Sequence, residues 1–231
     1  MKIAPIGFLA LLMVLGTLHA AGATLSPGQS IGISFGATPP DNSFNHCDPD
    51  NPEIALTGSL SHIIDTNGRE ITGLNMHFEG ANISSYQGGT PEAAAYYTAS
   101  GFTTLNVQNA ISGYDLAFSF LGLDLNLMFT LDLLSFYIQQ NIGTEFFCNG
   151  QNFLTDSTST TGGAEAHFTN LVPDANGTIT IRLVGHDPLH PCSNRAGINC
   201  ALLTVQDIPE PSTWALAMVG ITGILLAHRR R

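Results

Sequence analysis

Apolar side chains recur at every second position through most of residues 24–206, a spacing that commits the chain to strands. Ile31, Ile33 and Phe35 alternate with small residues, and Thr72, Leu74, Met76 and Phe78 are placed to line one face of the next run. Leu105 with Val107, then Leu116, Phe118 and Phe120, then Phe129, Leu131 and Leu133 continue the pattern. Phe146, Phe168 with Leu171, and Ile179, Ile181 and Leu183 follow, and Ile198 to Val205 reads as one last apolar run. Asn67-Gly68, Gly88-Gly89, Gly162-Gly163 and Asn176-Gly177 punctuate the runs with residues that tolerate positive φ. One short helix is expected, with Thr90 as cap, Pro91 at the first position and Glu92 to Tyr97 as its body. About eight or nine short strands predict an all-β fold, a two-sheet antiparallel jelly-roll sandwich.

Charge narrows the partners. Between Thr24 and Asp207, 17 acidic residues face only Arg69, Arg182 and Arg195, a net charge of −14, and lysine is absent. Nucleic-acid backbones and anionic membrane surfaces need a basic footprint, so neither is an expected partner. Asp41, Asp48, Asp50 and Glu53 surround Cys47 in an oxygen-rich stretch that suits structural calcium, without the register of an EF-hand. No other cofactor is implied. The four cysteines, Cys47, Cys148, Cys192 and Cys200, are an even set that suits disulfides after export. Cys192–Cys200, closing a small loop, and Cys47–Cys148, tying distant segments, are the expected pairs.

Catalytic patterns are weak. Gly32-Ile33-Ser34-Phe35-Gly36 spells a hydrolase nucleophile motif, but Ser34 lies in a strand pattern and Thr38-Pro39-Pro40 stands where the helix should begin. His186, Asp187 and His190 are close in sequence, yet Pro188 and Pro191 forbid a helical metal site. Tyr86, Tyr96, Tyr97 and Tyr114 are candidate platforms for stacking a sugar ring. These features predict a protein that is not an enzyme.

A loose resemblance extends over most of the domain. Gly122-Leu123-Asp124-Leu125-Asn126-Leu127-Met128-Phe129-Thr130-Leu131 resembles the strand–turn–strand passage of malectin-like and galactose-binding-like jelly rolls. Asp174 to Ile181 is similar to their penultimate strand, Ala196 to Val205 to their last and Ile31 to Gly36 to their first. The resemblance implies the fold and, in many such domains, sugar binding.

The two ends carry addresses. Met1-Lys2 precedes an apolar stretch, Ile3 to Leu18, and Ala21-Gly22-Ala23 offers a small-x-small cleavage site, with Ala20 competing. A signal peptide over 1–23, helical until its removal, is expected. At the other end Trp214 to Ala227 is uncharged, 14 residues long and about 21 Å as a helix. That is short of a bilayer core of about 30 Å. Interfacial Trp214 and snorkelling Arg229, Arg230 and Arg231 extend the span, so 214–227 reads as a transmembrane helix with an arginine stop.

Pro209-Glu210-Pro211-Ser212-Thr213-Trp214-Ala215-Leu216 through Arg229-Arg230-Arg231 closely resembles the PEP-CTERM sorting signal of Gram-negative bacteria, placed at 207–231. The resemblance implies processing near Pro209, Glu210 and Pro211 by an exosortase, after signal peptidase has acted, and an exopolysaccharide or biofilm setting. The chain would be tethered to the inner membrane first, then held at the cell surface or in the matrix. The expected role is non-catalytic binding or organisation of exopolysaccharide. A structural surface protein without a ligand is the alternative; a polysaccharide hydrolase or an ice-binding protein, the latter a label that some PEP-CTERM proteins carry, is the lesser one.

Overall fold

The computed structural model describes residues 23, 25–36, 45–47, 58–87, 109–136, 143–156, 163–186 and 195–206, with only the backbone at 85–87 and 109. These residues form twelve strands. In chain order they are β1 (Ser30–Phe35), β2 (Asn45–Cys47), β3 (Ser59–Leu60), β4 (Asn75–Gln87), β5 (Asn109–Leu121) and β6 (Phe129–Leu134). Then come β7 (Gly143–Cys148), β8 (Gln151–Asp156), β9 (Glu165–Leu171), β10 (Thr178–His186), β11 (Ala196–Ile198) and β12 (Cys200–Val205). Five make one sheet in the order β2-β1-β12-β6-β9; the other runs β3-β4-β5-β10-β7-β8, with β11 also paired to β5. The expected sandwich is present, with one departure: β1 and β2 pair in parallel.

Period-2 alternation explains the core. Ile31, Ile33, Phe35, Phe129, Leu131 and Leu133 from one sheet meet Phe78, Phe118, Phe120, Phe146, Ile179 and Ile181 from the other, all at most 4 % exposed. Phe118 packs edge-on against Phe120 with ring centroids 5.9 Å apart, a favoured aromatic geometry. Leu74, Met76 and Phe78 share one face as expected, whereas Thr72 is exposed in the turn before β4. The predicted helix and the Leu105–Val107 run lie outside the described residues.

The last apolar run is two strands. β11 pairs with β5 in one sheet and β12 with β1 and β6 in the other, so the chain changes sheets at Asn199. Asn199 makes the corner possible by satisfying backbone on both sides. Its carbonyl accepts the Phe35 N–H (2.9 Å), its N–H donates to the Leu134 carbonyl (2.8 Å), and its Oδ1 accepts the Phe136 N–H (2.5 Å). Asn45 does similar work at the sheet edge, with Nδ2 donating to the Gly32 and Ile64 carbonyls and Oδ1 accepting the Ile64 N–H. Such buried polar groups are tolerated because their partners replace water.

The expected Cys47–Cys148 bridge is not formed, since Cys148 is a free thiol. Cys47 sits on edge strand β2, while β7, which carries Cys148, packs over β9 at the far side of the sandwich. A disulfide needs Cα atoms within about 7 Å. Cys200 is also a free buried thiol, so no Cys192–Cys200 bridge is formed either; Cys192 lies outside the described residues. Burial pushes the Cys148 thiol up to about 12. The Cys200 thiol is raised by burial and then by the charges of Glu165 and Asp132.

Candidate functional site

The outward side of the larger sheet brings polar and aromatic groups together in rows. Strand register aligns Glu79, Ala117, Arg182, Phe147 and Asn152 across β4, β5, β10, β7 and β8. Strands lie about 4.8 Å apart, so this row is roughly 19 Å long. All but Ala117 are exposed, and Phe147 keeps 36 % of its surface in solvent. Its position follows from alternation: Phe146 points into the core, so Phe147 must point out.

Flanking rows complete the surface. On one side Ser59, His77, Ser119 and Thr180 align, with Ser59 Oγ and His77 Nδ1 at 3.2 Å and the Ser119 and Thr180 hydroxyls at 2.8 Å. On the other side are Val184, Glu145 and Leu154, the last 61 % exposed. Glu145 is fixed by Asn152 Nδ2 (2.6 Å) and by His186 Nε2 (2.8 Å). The Asn152 hydrogen bond, opposed by partial burial and joined by the bond and charge of His186, holds its carboxyl below the usual range. Arg182 is exposed and makes no ion pair with any described residue.

A second feature is an open cleft of about 420 Å³ between the Ser26–Gln29 turn and Asn67–Ile71. Asp65, which does not line the cleft, bonds to residues on both of its sides. Its side chain is fully buried, and Oδ1 accepts the backbone N–H of Asn67 (2.9 Å) and Arg69 (2.8 Å), an arrangement that Gly68 at φ +78° allows. Gln29 Nε2 donates to Oδ2 (2.8 Å), with Arg69 Nε 3.5 Å away. Burial raises the Asp65 carboxyl, but the Arg69 N–H, Gln29, the Asn67 N–H and the Arg69 charge together bring it below its ordinary value. Nothing in the hydrophobic periodicity marks Asp65; the Asp-Thr-Asn-Gly turn spelling is its only signal in the chain.

Of the four tyrosines expected to stack a sugar, only Tyr114 has a described side chain, and it falls elsewhere. Tyr114 lies half-buried beside the irregular stretch of β4 and β5, apart from the rows. Tyr86 is on β4, paired with Ala110, without a described side chain. Tyr96, Tyr97, Asp41, Asp48, Asp50, Glu53, Asp187 and His190 lie outside the described residues, as do Pro209, Glu210, Pro211 and Arg229, Arg230 and Arg231. Among the described residues no three His, Cys, Asp or Glu side chains gather for a metal. Ser34 is a strand residue, 0 % exposed, whose hydroxyl has no hydrogen-bond partner, so the geometry of a nucleophile is missing.

Residues 207–231 match the PEP-CTERM protein-sorting motif. The chain is therefore exported and sorted by an exosortase, and its C-terminal tail anchors it in the membrane before processing. No curated protein matches it. Among solved structures, it is similar to the plant receptor-like kinase ANX2, with a TM-score of 0.50 and 11 % identity. It is also similar to the ANXUR1 extracellular domain from Arabidopsis thaliana, with a TM-score of 0.50 and 13 % identity. Each alignment covers 78 % of this chain and 49 % of the other, so this chain spans about half their length. At that identity the likeness establishes a shared β-sandwich fold.

Proposed function

We propose that this exported sandwich is a non-catalytic component of the extracellular matrix of a Gram-negative bacterium, binding or organising exopolysaccharide through the open face of its larger sheet. The observation that carries the reading is the row from Glu79 to Asn152. An exposed aromatic ring, a guanidinium, an amide and a carboxylate lie in one line. A sugar ring presents an apolar C–H face and a rim of hydroxyls, which match an aromatic plate edged by donors and acceptors. A flat row suits an extended polymer better than an enclosed pocket. The sorting motif supports the setting, and the extracellular domain among its structural neighbours is in keeping with it.

The test is retention of the exported protein on matrix polysaccharide isolated from the native cells. Wild-type protein is expected to be retained, and Phe147→Ala or Arg182→Ala to weaken retention roughly tenfold, equivalent to about 1.4 kcal/mol. Equal retention of both variants would move the site off this face. No retention of wild type would leave the surface-structural role, in which deletion alters biofilm cohesion without a bound ligand.

A further inference from the structure

The start of the described chain constrains how the precursor is cut. Ala23 is 1 % exposed and belongs to the main core. Its N–H donates to the Gly122 carbonyl at 2.7 Å, and its own carbonyl accepts the Leu25 N–H at 3.0 Å. The acceptor has little room to move, because Gly122 has φ +86° and a Cβ there would lie 2.2 Å from the Gly73 carbonyl oxygen. Leu25 is buried too, and Gly28 and Gln29 continue the attachment through backbone bonds to Val205. Ala23 is thus a part of the sandwich.

Two small-x-small triplets overlap at this point, Ala20-Ala21-Gly22 and Ala21-Gly22-Ala23, and Ala20 can itself end a signal. Sequence pattern does not separate them; the fold does. A cut after Ala23 would discard a core residue with its hydrogen bond to Gly122, whereas a cut after Ala20 or Gly22 keeps both. We propose that signal peptidase hydrolyses a bond N-terminal to Ala23, so that the mature domain retains this residue instead of starting at Thr24. In that step water gives its hydroxyl to the carbonyl carbon of Ala20 or Gly22, and the nitrogen of Ala21 or Ala23 leaves as a protonated amine. The inference rests on the export reading.

The experiment is intact-mass and terminal-peptide spectrometry of the full chain exported by the native cells, read on denatured protein so that a folding defect cannot mask the terminus. The expected first residue is Ala21 or Ala23. A start at Thr24 or later overturns the proposal while leaving export intact. Uncut Met1 on the exported chain overturns both. Ala23→Leu adds a second arm, because a bulky side chain blocks a cut immediately after it. Processing of that variant at the wild-type bond is expected, and loss of processing would contradict the proposal.

Discussion

The outward faces of the two sheets are covered to different degrees. On the larger sheet Arg182, Phe147, Asn152 and Leu154 stand in solvent. On the smaller sheet the row Ser34, Cys200 and Leu134 is 0 % exposed, and Leu134 and Cys200 join Phe136 and Ala164 in a second apolar cluster. Both faces follow from the same alternation, yet this part of the smaller sheet's outer face is covered, whereas His167 farther along it is exposed. The sandwich therefore leaves the open sheet in water and uses part of the other for stability.

Leu134→Ala should expose this asymmetry most strongly. Truncating a fully buried leucine costs about 3 kcal/mol, so its melting temperature should fall by roughly 6–12 °C. Phe147→Ala should lie within about 1 kcal/mol of wild type, because its ring already meets water. Equal losses in the two variants would erase the distinction. Thiol labelling gives a second contrast: Cys148 and Cys200 should resist alkylation in the native protein and react on unfolding without reductant. Rapid native labelling of Cys200 would mean that the smaller sheet's outer face is open.

Acid should act gently on the open face. Because the Glu145 carboxyl is depressed in the folded state, its contribution is present above the unfolded value and is lost as pH falls through the folded one. The drop in melting temperature on acidification below about pH 4 should thus be slightly smaller in Glu145→Gln than in wild type. Ser34→Ala should have the least effect, within about 0.5 kcal/mol of wild type or slightly stabilising, since its hydroxyl is buried without a partner. A large loss in thermal denaturation would reveal a bond to that hydroxyl.

The interior was legible because period two states which residues share a side, and Phe118, Phe146 and Ile181 all obey it. The same rule does not say whether the opposite side meets water, so it does not distinguish exposed Phe147 from buried Cys200. Asn149-Gly150, both at positive φ in the hairpin between β7 and β8, is a further turn signal of the same kind. The corner at Asn199 was hidden inside a continuous apolar run. Residue type points to the tyrosines as platforms, whereas strand register puts Phe147 on the open face. The membrane tail is legible from an uncharged apolar run closed by an arginine cluster, and its sorting role from the resemblance to the PEP-CTERM signal.

The most direct test of delivery to the matrix is the C-terminus of the released protein, read by mass spectrometry from cells with and without exosortase. The expected product ends near Pro209-Glu210-Pro211 and lacks Arg229, Arg230 and Arg231, and cells without the enzyme retain the full tail. A released chain ending at Arg231 regardless of the enzyme would contradict the account.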